Sequence, residues 1–227
     1  MLLEVKGLEA HYGAAQALFG VNLTVNEGEM VAMLGRNGMG KSTTISSICQ
    51  MVTPTKGTIE FRGQSLNRMS SHKAARLGLG LVPEGRRCFP NLSVLENLTA
   101  AARKGEWILD RVYDLFPRLK ERKNQSANTL SGGEQQMLAI SRALMTNPKL
   151  LILDEATEGL APVVRGEIWQ AIAKLKKEGL SILIVDKTLK ELLPLADQAV
   201  ILEKGESVWA GRPDTLTEEM KDRYLGL

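Results

Sequence analysis

Short apolar runs that alternate with helical segments predict an α/β protein with a mostly parallel core sheet. Residues 150–154 and 181–185 are almost wholly aliphatic, which is typical of parallel strands buried on both faces. Alternating residues near the start of the chain predict an N-terminal antiparallel β part. From residue 85 to about residue 145 the pattern is mostly helical, which predicts a helical insertion between core strands.

The individual elements follow from the same patterns, read in chain order, with a turn predicted at the Thr-Pro-Thr-Lys-Gly run of residues 53–57. The predicted strands are residues 2–8, 21–25, 30–34, 58–62, 78–82, 150–154 and 181–185, with a terminal hairpin near 200–209. The predicted helices are residues 42–50, 71–77, 94–102, 107–116, 134–145 and 163–177. We expect a single domain over residues 1–227, with a core of 1–84 and 147–227 and a helical subdomain of about 85–146.

Composition narrows the class of protein. An apolar content of 44% and a charged content of 24% are ordinary for a globular protein, and a net charge of +3 does not indicate a nucleic-acid binder. Two cysteines, Cys49 and Cys88, predict no disulfide framework and fit a reducing compartment. Since the sequence has no run of 18 apolar residues, we do not expect it to cross a membrane by itself.

Residues 35–42 fit the phosphate-loop pattern G-x-x-x-x-G-K-[ST] without a mismatch. Glycines let the backbone curl so that successive N–H groups point at phosphate oxygens. Lys41 can then reach the β- and γ-phosphates, and the Ser42 hydroxyl can ligate Mg²⁺. The predicted strand before this run and the predicted helix after it supply the order that the motif requires, and the helix adds its positive N-terminal dipole. The sequence therefore predicts a nucleotide site.

Two further segments carry chemistry. The aliphatic run 150–154 ends in Asp154 and Glu155, at the strand end where ligands gather. There Asp154 can serve Mg²⁺, and Glu155 can polarise an attacking water. In residues 130–136, Ser131 and Glu134 have the spacing of a capping box, so a helix starts there and its first N–H groups form a second anion site. One nucleotide cannot easily use both anion sites within one domain.

The phosphate loop, residues 130–136 and residues 150–155 together resemble the ABC-type ATPases over essentially the whole chain. The resemblance implies a P-loop NTPase fold, ATP and Mg²⁺ as ligands, and two ATP molecules sandwiched in a head-to-tail dimer. In that dimer, residues 130–136 of one chain bind the γ-phosphate of ATP held by the other, and the loop of residues 156–162 crosses the interface between the two chains. The nucleotide-binding residues that the resemblance implies are Tyr12, Gly35, Arg36, Asn37, Gly38, Met39, Gly40, Lys41, Ser42, Thr43, Glu84, Ser131, Gly132, Gly133 and Glu134. The implied metal ligands are Ser42, Glu84 and Asp154, and the implied catalytic residues are Glu155, Lys41 and Lys187.

Two positions depart from the pattern of that family. Glu84 stands where a glutamine is usual, and a carboxylate there can still ligate Mg²⁺. Lys187 stands where a histidine is usual, and a lysine lacks the donor–acceptor pair of neutral histidine. Two interpretations of Lys187 stay open: a surface residue that points away, or an electrostatic substitute for the histidine. Tyr12 resembles the aromatic residue that stacks on adenine, with a tyrosine packed at a strand end as the alternative.

Within the family, residues 11–13, 82–87, 89–94 and 159–162 are most similar to the LivF type of branched-chain amino-acid importers. That type implies a peripheral protein on the cytoplasmic face of the inner membrane. Its implied partners are a second cassette, identical or different, membrane permease subunits, and indirectly a solute-binding protein. Residues 86–98 are the candidate surface for the permease subunits, with an ordinary loop of the helical subdomain as the alternative. No nucleic acid is expected. The alternatives are the ATPase of a urea or other small-solute importer and an ATP-driven clamp on a soluble partner.

Overall fold

The computed structural model describes residues 1–226, and its strands form two sheets. The strands are β1 (Leu3–Tyr12), β2 (Ala15–Val25), β3 (Met30–Leu34), β4 (Lys56–Phe61), β5 (Gln64–Ser65), β6 (Leu79–Val82), β7 (Leu150–Asp154), β8 (Ser181–Val185), β9 (Gln198–Glu203) and β10 (Glu206–Gly211). The helices are α1 (Lys41–Ile48), α2 (Ser71–Arg76), α3 (Val94–Thr99), α4 (Leu109–Leu115), α5 (Pro117–Glu121), α6 (Gly132–Leu144), α7 (Pro162–Lys177), α8 (Leu189–Leu192) and α9 (Glu218–Leu225).

The larger sheet has six strands in the order β10-β9-β3-β8-β7-β6. All neighbours pair in parallel except β10, which is antiparallel to β9. The smaller sheet is antiparallel, in the order β2-β1-β4-β5. The predicted α/β class, with a mostly parallel core sheet and an N-terminal antiparallel part, is therefore confirmed.

Both faces of the parallel sheet are buried, and β3 shows how. Met30, Ala32 and Leu34 join the cluster that includes helices α6 and α7, whereas Val31 and Met33 join the cluster that includes α1 and the antiparallel sheet. Successive side chains of a strand point to opposite faces, so a strand packed on both sides needs an unbroken apolar run. The predicted strands 30–34, 150–154 and 181–185 have the observed bounds for this reason.

The predicted first two strands, 2–8 and 21–25, are too short. β1 and β2 continue as one antiparallel hairpin up to the pair Tyr12 and Ala15, with irregular register between Val5 and Leu8 and again between Ala10 and His11. These irregularities displace the inward-facing side chains from strict alternation, so the sequence pattern fades while the backbone pairing continues. The predicted helices 94–102 and 107–116 are longer than α3 and α4, which end at Thr99 and begin at Leu109.

The order of the core strands assembles the site. Strands β3, β8, β7 and β6 are consecutive neighbours and run in the same direction. Their carboxyl ends therefore meet at one edge, where open α/β sheets bind ligands. The segments at that edge are the phosphate loop after β3, Lys187 after β8, Asp154 and Glu155 at the end of β7, and Glu84 after β6.

Candidate functional site

The phosphate loop, residues 35–42, leaves β3 and enters α1 at Lys41. Its backbone has left-handed conformations at Gly35 (φ 138°) and Gly40 (φ 100°). A β-carbon on Gly35 would lie 2.3 Å from the carbonyl oxygen of Leu202, so that position must be glycine. The loop thus packs closely against β9 while its exposed residues, such as Asn37 and Gly38, lie at the edge of the sheet.

Lys41 is only 9% exposed, and its ammonium is held by its own loop. Nζ donates to the carbonyl oxygens of Gly35 (2.7 Å) and Arg36 (2.9 Å). Burial lowers the pKa of Lys41, while the nearby carboxylates of Glu155 and Asp154 oppose that shift. The result is a cation fixed at the centre of the site and available to an anion.

Asp154, at the end of β7, is 5% exposed. Burial raises the pKa of its carboxyl group, and a hydrogen bond from the Ser42 hydroxyl opposes this shift. Its Oδ1 atom is buried without a hydrogen-bond partner among the described residues. A buried carboxylate oxygen that accepts no hydrogen bond from the described residues, beside a hydroxyl group, is suited to coordinate a hard cation such as Mg²⁺, whose preferred ligands are oxygens. Ser42, Asp154 and Glu84 therefore fit the predicted metal site in their chemistry.

Glu155 follows directly, in a left-handed conformation with φ 50°, and its backbone N–H donates to the carbonyl oxygen of Val185 at 2.8 Å. Its side chain lies in a cluster with Glu84 and Glu158, whose carboxylate oxygens are within 4.8 Å of one another. A hydrogen bond with Glu158, followed by burial, raises the pKa of Glu155 to about 7. Glu155 can therefore hold or release a proton near neutral pH, as a general base requires.

Lys187 lies beside this cluster. Its Nζ is 2.5 Å from Oε1 of Glu158 and 3.6 Å from Oε2 of Glu155, although half of its side chain is exposed. Of the two open interpretations, this geometry favours the electrostatic one over a side chain that points away. The same contacts raise the pKa of Lys187 and, together with Glu155, lower the pKa of Glu158. The lysine is thus charged where the site is most acidic.

These groups enclose a cavity of about 730 Å³, within the range of small-molecule sites. It is lined by Gln16, Ala17, Phe19, Asn37, Gly38, Gly40, Lys41, Ser42, Thr43, Glu84, Glu155, Glu158, Lys187 and Lys204. Three lysines and three glutamates thus line one space. Such an arrangement can bind a polyphosphate with a divalent cation and place a carboxylate beside the terminal phosphate.

Tyr12 is 54% exposed at the end of β1 and is not among the described residues that line this cavity. Gln16, Ala17 and Phe19 of β2 do line it, and Phe19 is 47% exposed. Sequence reasoning missed these β2 residues because the predicted second strand began only at residue 21.

The signature segment, residues 130–136, lies elsewhere. Ser131 caps α6: its Oγ accepts from the backbone N–H of Glu134, whose carboxylate accepts from the N–H of Ser131 at 2.9 Å. The predicted capping box is therefore present, and Arg122 contacts the same carboxylate at 2.6 Å. Among the described residues, Ser131, Gly132, Gly133 and Glu134 do not line the cavity. The structure brings together the phosphate loop, Glu84, Asp154, Glu155 and Lys187, and leaves the signature segment apart.

Two residues of the site had weak sequence signals. Glu158 contacts both Glu155 and Lys187, yet it lies in a loop that the resemblance marked only as the range 156–162. Arg86 contacts the same loop across 72 positions of sequence. The range itself was the only available signal for Glu158, and no local pattern identifies Arg86.

The fold and the cavity define an ATPase of the phosphate-loop class, and comparisons with known proteins specify it. The profile of the family described as ABC transporter matches residues 18–158. The high-affinity branched-chain amino acid transport ATP-binding protein BraG of Pseudomonas aeruginosa is 41% identical over 232 residues, covering 99% of this chain and all of that protein. The lipopolysaccharide export ATP-binding proteins LptB of Haemophilus influenzae and Escherichia coli are 32% and 33% identical, each covering 99% of this chain and 97% of its own length.

Solved structures agree with this result. One described as the ATP-binding subunit of an ABC transporter is 30% identical with a TM-score of 0.86, covering 100% of this chain and 97% of its own. The ATP-binding cassette MJ0796, in a dimeric post-hydrolysis state bound to ADP and phosphate, is 25% identical with a TM-score of 0.83. The match covers 93% of this chain and 99% of that structure's chain. The chain therefore belongs to the ABC transporter family, as an ATP-hydrolysing, ATP-binding subunit of a transporter. Within residues 1–226, no helix is both long enough and apolar enough to span a bilayer.

Proposed function

We propose that this chain powers a bacterial importer of branched-chain, hydrophobic amino acids through ATP-driven closure of a cassette dimer. Similarity to BraG supports the substrate class, since its identity of 41% exceeds the 33% shared with LptB of Escherichia coli. The observation that carries the mechanism is the cavity that unites the phosphate loop with Glu155. A urea or other small-solute importer and a clamp on a soluble partner are the alternatives that the experiment below separates.

Each residue has a defined part in the proposed reaction. Lys41 and the loop amides neutralise the charge of the ATP phosphates, and Tyr12 stacks on the adenine. Ser42, Asp154 and Glu84 would hold Mg²⁺, which would supply electrostatic stabilisation of the phosphates. Glu155 orients the attacking water and accepts its proton. Phosphoryl transfer depends mostly on positioning and electrostatics, so fixed charges at these places are sufficient.

The position of the signature segment supports a head-to-tail dimer. Ser131, Gly132 and Gly133 do not line the cavity of their own chain, as far as residues 1–226 describe it. Their helix start can bind an anion from outside that cavity, and the terminal phosphate of ATP on a second chain would supply one. In the proposed dimer, each γ-phosphate lies between Lys41 of one chain and Ser131 of the other, and hydrolysis removes that bridge.

Residues 86–98 and a neighbouring groove form the proposed permease surface. Phe89 is 48% exposed, and the guanidinium of Arg142 stacks on its ring at 4.6 Å. Beside it lies a groove of about 330 Å³ that is lined in part by Met51, Leu81 and Arg142. An apolar groove with a cationic rim suits a short helix of a membrane subunit. The chain would then work on the cytoplasmic face of the membrane.

Affinity capture tests the function. The Glu155→Gln chain is cross-linked in its native cells in the presence of ATP, and the proteins that co-purify are identified. Two hydrophobic permease subunits and a solute-binding protein for branched-chain amino acids are expected. The control is the double variant Lys41→Ala and Glu155→Gln, which should not form the ATP-bound dimer. A binding protein for urea would contradict the substrate, as would permeases of an export system, and soluble partners alone would contradict transport.

The permease surface has its own test. Charge reversal by Arg87→Glu should weaken assembly with the permease subunits while the ATPase activity of the isolated chain is retained. Complex formation and permease-stimulated ATPase activity that equal those of the wild type would contradict the assignment of residues 86–98.

A further inference from the structure

One arginine joins three segments of this chain. Arg86 lies in the turn after Glu84, and its Nη2 atom donates to the carbonyl oxygens of Glu158 (3.3 Å) and Gly159 (3.1 Å). The other edge of the guanidinium lies against Gly132, where an added β-carbon would be 2.1 Å from Nη1. The guanidinium therefore bridges the loop after Glu155 and the first turn of the signature helix α6.

The surrounding backbone is shaped to this side chain. Gly85 and Arg86 have consecutive left-handed conformations, with φ of 87° and 52°, and these turn the chain back toward the loop. A β-carbon at position 132 would lie 2.1 Å from Nη1, so a larger residue than Gly132 would displace the guanidinium from this place. Gly159 also contacts it closely, with a β-carbon position 3.2 Å from Nη2. Two glycines and a tight turn thus leave room for one planar group.

Each bridged segment carries a group of the proposed reaction. The backbone carbonyl oxygen of Glu158 accepts one hydrogen bond from Arg86, and the Glu158 side chain contacts Lys187 and the Glu155 carboxyl group. Ser131 directly precedes Gly132. A planar guanidinium can hold two neighbouring carbonyl oxygens at fixed directions, whereas the ammonium of a lysine acts as a point charge. A shift of the signature helix would therefore move the loop that positions Glu155.

We propose that Arg86 is a positioning residue that fixes the loop of Glu155 and Glu158 relative to the signature helix. Through it, contact of the signature segment with the partner's nucleotide is coupled to the geometry of the general base in the same chain. The inference rests on the proposed ATPase mechanism. Arg86 itself does not line the ATP cavity within residues 1–226, so it acts through Glu158 and Gly159.

The test uses the full chain with Arg86→Ala and Arg86→Lys. Both variants should lower kcat about tenfold, since charge-assisted hydrogen bonds to the loop are lost, while the Kd for ATP changes by less than about twofold. Amide hydrogen exchange of residues 156–162 should become faster in both. The matched control is Arg68→Ala, because Arg68 is exposed and shares the left-handed backbone, with φ 64°. It should leave kcat and exchange unchanged.

The outcomes separate this inference from the proposed function. Wild-type kcat together with wild-type exchange in the Arg86 variants would overturn the positioning role and leave the ATPase mechanism intact. A kcat for Arg86→Lys equal to that of the wild type would also overturn the positioning role. The planar guanidinium, which lysine lacks, would then not be required. If Arg86→Ala does not fold, the lysine variant decides. If ATP hydrolysis by the wild-type chain does not depend on Glu155, the proposed mechanism fails, and exchange of residues 156–162 still decides the role of Arg86.

Discussion

The phosphate loop and the signature segment are both glycine-containing starts of helices, yet only one of them forms a site in a single chain. The phosphate loop lies at the carboxyl edge of the parallel sheet, where its neighbours supply Asp154, Glu155 and Glu84. The signature segment lies at the start of α6 in the helical part, capped by its own Ser131–Glu134 box. Its neighbours include Arg86 and Val164, neither of which is among the described residues that line the cavity.

The two motifs need different neighbours. The phosphate loop has Lys41, the proposed metal ligands and the proposed base within reach because adjacent parallel strands end at one edge. The signature segment offers helix-start N–H groups and a hydroxyl, but the charged groups beside it are already held within the chain: Arg122 pairs with Glu134, and Arg86 binds the carbonyl oxygens of Glu158 and Gly159. In the proposed dimer it contributes to catalysis when a second chain presents a phosphate to it. The predictions below test this division.

The largest effect is expected at Glu155. Glu155→Gln removes the proposed general base and should lower turnover roughly 10²- to 10⁴-fold, while ATP still binds. Because hydrolysis would end the contact between the two regions, this variant should accumulate as an ATP-bound dimer. Steady-state ATPase assays and light scattering measure both results. Turnover within a few-fold of the wild type would remove Glu155 from this role.

The next test separates the regions directly. Lys41→Ala should weaken ATP binding by about tenfold to a hundredfold, because it removes a buried cation that contacts phosphate. Ser131→Ala should leave the ATP affinity of the single chain unchanged and lower only turnover. Since Ser131 is also a helix cap, Thr217→Ala is the matched control: Thr217 caps α9 by accepting from Met220. Equal losses of ATP affinity in the Lys41 and Ser131 variants would contradict the division.

A smaller effect is expected at Lys187. Replacement by alanine should lower turnover about tenfold, because it removes a cation that contacts the cluster of Glu155 and Glu158. Replacement by histidine should retain more activity than alanine. Lys190, exposed on the following helix, provides the control Lys190→Ala. If alanine and histidine both leave turnover unchanged, the electrostatic interpretation of Lys187 is wrong.

The smallest effect is a shift in pH dependence. A raised pKa keeps a carboxyl protonated to higher pH, and a protonated Glu155 cannot accept a proton. Since Glu155 has a pKa of about 7, kcat/KM for ATP should fall as the pH drops below about 7. Glu158→Gln removes the main cause of this shift, so the fall should move to lower pH. A pH profile identical to that of the wild type would contradict the coupling of the two carboxyl groups.

Much of the core was predictable from the sequence because its cause is local. Strands β3, β7 and β8 are continuous aliphatic runs, and their predicted bounds are the observed ones. The phosphate loop and the Ser131–Glu134 box depend on residues within one short segment, and motif spacing describes both. The full hairpin of β1 and β2 was not predictable, since its pairing continues through irregular register and mixed polarity.

The rest of the site depends on contacts between distant segments. Glu84, Glu155 and Lys187 come from three strand ends, and only the sheet order brings their charged groups together. Arg86 is separated in the sequence by 72 positions from Glu158 and by 73 positions from Gly159, the two residues that its guanidinium contacts. No periodicity or local spacing encodes such a pair. The sequence therefore indicated the chemical groups. It did not indicate the contacts among Glu155, Glu158 and Lys187 that shift the pKa values of these groups.

The most direct test of the central claim is cross-linking between the two regions. One Glu155→Gln chain carries Asn37→Cys and another carries Ser131→Cys, both at exposed positions, with Cys88→Ser in each. The two chains are mixed with Mg²⁺ and ATP, and a short bifunctional thiol reagent is added. The account predicts an ATP-dependent cross-link between the two different chains and none when either chain is tested alone. Absence of the mixed product, or equal cross-linking within each single variant, would contradict the head-to-tail site.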